Sequence, residues 1–220
     1  MTTRLAIFDC DGTLVDSQAN ICIAMEHAFA EAGMVLPPRN AIRRIVGLSL
    51  FEIMRTLLPN ANSAVHSEMV ERYRTSYLTM RNKGLEHEPL YDGIAALLCK
   101  LEESGWLLGV ATGKSDRGLE RCLDGHGIKE LFVSLQTADR HPSKPHPSMI
   151  HKALVDAGAK ASDAVMIGDT FYDIKMGVAA GCKTIGVGWG YHPLDELRAA
   201  GADFLVETMD ELHTVLKDMR

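Results

Sequence analysis

The chain has 220 residues, 46% of them hydrophobic and 24% charged, enough for one globular core with a smaller satellite. Its formal net charge of -6 supplies no basic field for a nucleic-acid polymer or an anionic membrane surface. Five scattered cysteines (Cys10, Cys22, Cys99, Cys122, Cys182) form no C-x-x-C pair, which excludes a disulfide framework and a zinc knuckle and fits a reducing cytoplasm.

Leu5-Ala6-Ile7-Phe8 reads as a short buried strand that ends at Asp9-Cys10-Asp11-Gly12, and no charged leader precedes it. No later run approaches the length of a membrane span, so the sequence reads as soluble and untargeted. The period then changes. Ile21, Met25, Ala28, Phe29 and Ala32 share one helix face until Gly33. Ser49-Leu50-Phe51-Glu52 has the capping-box pattern and opens a short helix that Pro59 ends. Val65, Met69, Tyr73, Tyr77 and Met80 predict a third helix. Residues 17–88 are thus expected to form an all-helical insert within a core domain of residues 1–16 and 89–220. The hinges are expected near Asp16-Ser17 and between Glu86 and Tyr91.

From Ile94 onward helices alternate with short apolar runs: Leu107–Ala111, Phe132–Leu135, Ala164–Ile167, Lys183–Val187 and Ala202–Val206. That alternation predicts an α/β fold, a doubly wound parallel sheet covered by helices on both faces. The insert carries eight Lys or Arg against seven Glu and no Asp, and the remainder fifteen against twenty-two. The negative balance therefore sits in the sheet domain, which suits an anionic substrate that arrives with a cation.

Ligands of an open parallel sheet bind beyond the carboxyl ends of its strands. Asp9 and Asp11 follow the first strand, Thr112 and Gly113 the second, Lys144 lies in the loop after the third, and Asp169 and Asp173 follow the fourth. Taken singly these are ordinary turn or cap residues, and Thr112 has the type to cap the helix after it. Gathered at one edge, the carboxylates repel and call for a neutralising cation, and an all-oxygen donor set favours magnesium over zinc. Thr112 and Lys144 add a hydroxyl and a fixed positive charge, the groups wanted around a transferring phosphoryl group. In the insert, Arg43 and Arg44 are candidates to touch the substrate.

The segments "DCDGTLVDS", "VATGKS", "SKPHP" and "MIGDTFYDIKMG" resemble the four motifs of haloacid dehalogenase superfamily hydrolases, in the usual order and across nearly the whole chain. The helical insert resembles the cap of the subfamily that contains phosphoglycolate phosphatase, β-phosphoglucomutase and the haloacid dehalogenases. The resemblance implies a Rossmann-like core and a magnesium-dependent phosphatase of a small phosphorylated metabolite, with phosphoglycolate as first expectation. It implies Asp9 as nucleophile and Asp11 as acid and base, with Thr112, Gly113 and Lys144 on the phosphoryl oxygens. Magnesium is then expected on Asp9, the Asp11 carbonyl and Asp169, with Asp173 ligating or supporting it. A dehalogenase of this family lacks the second aspartate that Asp11 provides. A phosphoglucomutase-type enzyme carries a cap histidine where Ile21 stands, and a noncatalytic member would not need every motif position filled by a reactive type. Monomer and homodimer are both compatible with the sequence.

Overall fold

The computed structural model describes residues 3–85 and 87–219, so Glu86, one end of the second expected hinge, lies outside the described residues. Six parallel strands form a sheet in the order β3-β2-β1-β4-β5-β6: β1 (Arg4–Phe8), β2 (Trp106–Thr112), β3 (Phe132–Thr137), β4 (Ala164–Gly168), β5 (Lys183–Val187) and β6 (Phe204–Val206). The sheet and its flanking helices make the predicted α/β fold.

The central strand shows why these short runs become strands. Ala6 and Phe8 point into a core shared with Leu97, Leu98, Leu123 and Leu212, while Leu5 and Ile7 point into a second core with Met149, Ile150, Ala153 and Met176. Each face buries alternate side chains, which a two-sided parallel sheet requires. One face is covered by α5 (Ile94–Glu103), α6 (Asp116–Gly125) and α10 (Met209–Asp218), the other by α7 (Ser148–Ala157) and α8 (Phe171–Ala180).

Between β1 and α5 the chain makes α1 (Gln18–Glu31), α2 (Arg39–Arg43), α3 (Leu50–Leu57) and α4 (Ser63–Asn82). These helices gather a separate core around Met25, Phe29, Met54, Met69 and Tyr73. The two connections to the sheet pair with each other: Val15 bridges Leu90 antiparallel, and the Asp16 amide donates to the Pro89 carbonyl at 2.9 Å.

Three local features depart from the sequence reading. The helices α2, of five residues, and α9 (Leu194–Ala200), of seven, are too short to display a 3.6-residue period. The expected capping box at Ser49 is only half formed. Its hydroxyl accepts from the Glu52 amide at 3.4 Å, but its own amide donates to Ser143 Oγ at 2.8 Å, tying α3 to the loop before α7. The complete capping box lies instead at Thr170 and Asp173, at the start of α8.

Candidate active site

Strand β1 lies where the sheet order reverses, between β2 and β4, so the crevice beyond its carboxyl end collects residues from three strand ends. Asp9, Thr112 and Asp169 all emerge there and all are fully buried. Lys144 reaches in from the loop before α7 and places its Nζ 2.8 Å from Asp9 Oδ1 and 2.6 Å from Asp173 Oδ1. A buried lysine survives only when so paired. Burial works against its charge, but Asp173 and Asp9 outweigh that and hold its pKa above the usual lysine range.

The remaining carboxylate oxygens are mostly assigned. Asp173 Oδ2 accepts from the Thr170 amide at 3.0 Å and its hydroxyl at 2.6 Å, so this residue both closes the capping box and anchors Lys144. Asp169 accepts from Thr13 Oγ1 at 2.8 Å and the Tyr191 amide at 2.9 Å. Gly168 and Gly190 leave no room for a Cβ beside Asp173 and Asp169 respectively, so bare backbone is what lets these acids sit so deep. Asp9 Oδ1 also accepts from the Cys10 amide at 2.7 Å, whereas Asp9 Oδ2 is buried with no hydrogen-bond partner among the described residues.

Asp9, Asp169 and Asp173 each offer an oxygen within 4.8 Å of the others, and a single lysine opposes them. Burial, together with the Asp173 charge, pushes the Asp9 carboxyl up to about 7 despite Lys144, and burial with the Asp173 and Asp9 charges raises Asp169 as well. A hard divalent cation fits this site: all donors are oxygens, negative charge is in excess, and one buried oxygen lacks a partner.

Asp11 stands apart from that cluster, on the wall of a cavity of about 620 Å³ between α4 and α6. Ser17 Oγ donates to its Oδ1, and Lys114 Nζ lies 2.9 Å from the same atom. Lys114 also meets Glu88 at 3.2 Å, and Tyr77 donates to Glu88 in turn. Burial opposes the Lys114 charge, yet Asp11 and Glu88 raise its pKa well above the ordinary value. Neither Lys114, Ser17 nor Glu88 was singled out from the sequence. The position of Lys114 directly after Thr112-Gly113 was the available signal.

Thr112 does not cap α6, since Ser115 Oγ accepts from the Gly118 amide at 3.2 Å and performs that role. The Thr112 hydroxyl instead accepts from the Lys114 amide at 3.2 Å and braces the loop. Gly113 faces backbone of the helical insert: a Cβ there would lie 2.5 Å from the Leu48 carbonyl oxygen and 2.6 Å from that of Gly47. We expect Gly113→Ala to cost about 1–3 kcal/mol of overpacking, or to displace the 47–48 loop and raise KM. A melting temperature and KM both equal to wild type would contradict this contact.

Arg43 and Arg44 are not brought to the cavity. The Arg44 guanidinium is paired with Glu196 of α9 at 2.9 Å on the surface, and exposed Arg43 lies next to Cys22. The basic residues that line the cavity are Arg74, Arg81, Lys114, Arg117 and Arg121.

The family model described as haloacid dehalogenase-like hydrolase matches residues 6–187, which spans β2 to β5, most of β1, the helical insert and Asp9, Asp11, Asp169 and Asp173. The chain belongs to that family of hydrolases. Over 97% of its length this hydrolase is 34% identical to "Probable phosphatase IndB" of Dickeya dadantii, covering 95% of that protein. It is 27% identical to a phosphoglycolate phosphatase of Vibrio parahaemolyticus over 97% of this chain and 96% of that one. Among solved structures it superimposes with a TM-score of 0.88 and 27% identity on "a predicted phosphatase from Clostridium acetobutylicum", covering 99% of this chain and 100% of that one.

Proposed function

We propose that this hydrolase cleaves phosphate monoesters of small metabolites through an aspartyl-phosphate intermediate, with residues 17–88 serving as the cap domain that encloses the substrate over the core of 1–16 and 89–220. The observation that carries the reading is Asp9, fully buried and paired through one oxygen with Lys144 while the other oxygen has no partner. Such a carboxylate is oriented, close to a fixed positive charge and available for attack.

Asp9 attacks phosphorus, and Asp11, poised on the cavity wall, gives a proton to the departing alkoxide oxygen. Asp11 then takes a proton from the water that opens the acyl phosphate and regenerates Asp9. Lys144, Thr112 and the Gly113 amide hold the phosphoryl oxygens, Lys144 offsetting charge that grows in the transition state. Asp9, the Asp11 carbonyl and Asp169, with Asp173 behind them, would hold magnesium, which would supply charge neutralisation and alignment of the phosphate. The cap limits water to the molecule that reacts. Phosphoglycolate is the first compound to try, on the strength of the resemblance to phosphoglycolate phosphatases.

The test is phosphate release from a panel of phosphorylated metabolites, each run with magnesium and with a chelator. Magnesium-dependent release is expected, and no release from any phosphate ester would overturn the reading. Cation binding has its own signature. Burial and the Asp173 charge raise the Asp9 carboxyl to about 7 in the folded protein, against an ordinary 3.8. Its contribution therefore favours the fold at low pH and is lost as pH rises from about 4 to about 7. A cation at the site displaces that proton. Magnesium added at pH 6 should release protons and raise the melting temperature, whereas at pH 9 the temperature should rise without proton release. Equal proton release at both pH values would remove Asp9 as the titrating ligand.

A further inference from the structure

The large cavity is more than the reaction needs. At about 30 Å³ per water molecule, its volume of about 620 Å³ has room for on the order of 20 waters, far beyond a two-carbon acid phosphate. Its walls are also chemically divided. Ile21, Leu50 and Ile53 make an apolar side with Tyr73, whose ring is tilted against that of Tyr77 at 5.9 Å.

The other feature is charge. Arg74, Tyr77, Leu78 and Arg81 recur at three- and four-residue spacing and form one face of α4, while Arg117, Gly118, Arg121 and Cys122 form one face of α6. The two faces look at each other across the cavity. Arg74 is paired with Glu71 at 2.7 Å. Among the described residues, Arg81, Arg117 and Arg121 have neither an ion pair nor a side-chain hydrogen bond, although Arg81 and Arg121 are half-buried. The acids of the cavity are already engaged: Asp11 and Glu88 by Lys114, and Asp139 by the Asp116 amide at 2.9 Å. Unpaired guanidinium groups facing one another in a chain of net charge -6 are a cost unless an anion comes between them.

We infer that the substrate is a phosphate ester whose body carries a second anionic group, a carboxylate or another phosphate, remote from the reacting phosphate and received by Arg81 and Arg121, with Arg117 at the cavity's exposed edge. The inference rests on the phosphatase reading above and adds the substrate class. Tyr77 is tied through Glu88 and Lys114 to Asp11, and Arg81 stands one turn, about 6 Å, farther along α4, so the second anion is separated from the reacting phosphate by a sugar- or ring-sized body. The apolar side and the two tyrosines cover that body.

Matched pairs test this directly: glucose 6-phosphate against 6-phosphogluconate, and phenyl phosphate against 4-carboxyphenyl phosphate. The wild-type protein is expected to favour the member with the additional carboxylate at least tenfold in kcat/KM, chiefly through KM. Arg81→Gln combined with Arg121→Gln is expected to bring that ratio close to one. A wild-type ratio near one, or a ratio unchanged in the double variant, overturns the inference. If none of the four compounds is hydrolysed, the phosphatase reading is decided by the metabolite panel above, where release from no ester at all overturns it. Calorimetric binding of the same pairs then decides the inference: a tenfold preference lost in the double variant upholds it, and equal affinities overturn it.

Discussion

Asp9→Asn is expected to lower turnover by four orders of magnitude or more, on the order of what removing a covalent nucleophile costs in other hydrolases. The same variant should fold at least as well as wild type without magnesium. Burial of Asp9 among Asp173 and Asp11 pushes its carboxyl up to about 7, so at pH 8 the folded protein carries a charge it disfavours, and an amide removes that cost. Lys144 keeps its partner in Asp173 at 2.6 Å. Phosphate-release kinetics and thermal unfolding at pH 8 check both parts. Residual activity within tenfold of wild type would mean that Asp9 does not form the covalent bond, and a fall in the melting temperature would mean that its carboxylate stabilises the fold.

Lys144→Ala is expected to fail in a different way, by losing stability together with rate. The ammonium group is fully buried between two carboxylates. Its removal leaves both without a counter-charge, a change that costs about 3–5 kcal/mol in buried pairs. For a chain of this size that is a fall in melting temperature of roughly 6–20 °C. Magnesium should recover part of the loss, because it neutralises the same acids. Lys144→Met refills the volume but not the charge, so a Met variant that melts with wild type would show that packing, and not charge, is what Lys144 contributes. A Lys144→Ala protein with normal kinetics and normal melting would leave Lys144 without a role in the site.

The strand ends were legible because each apolar run is short, buried on both faces and followed directly by Asp, Thr or Gly, so β1, β2 and β4 and their terminal residues could be placed one by one. The interior of α4 was legible from Met69, Tyr73 and Met80, all of which are buried. What could not be read were contacts between distant segments. Arg81 and Arg121 are forty positions apart and meet at one cavity only because the fold brings α4 and α6 to its two sides, and no local pattern encodes that meeting. Arg43 and Arg44 drew attention as an adjacent pair in the insert, yet the nearest acid to Arg44 is Glu196, on a helix of seven residues that shows no period of its own. Ser49 carried a correct helix-start signal, but its amide was claimed by Ser143, ninety-four positions away.

Asp173 and Asp169 sit against Gly168 and Gly190, which tolerate no added side chain, and Gly113 closes on the Gly47 and Leu48 carbonyls, whereas Arg81 and Arg121 reach the same cavity from faces of α4 and α6. If Arg81 and Arg121 receive the second anion, a substitution at either position changes what the protein accepts, while a side chain added at Gly168 or Gly190 strikes the acids themselves. Such a division lets a lineage trade one metabolite for another by single steps, each of which leaves a working catalyst behind.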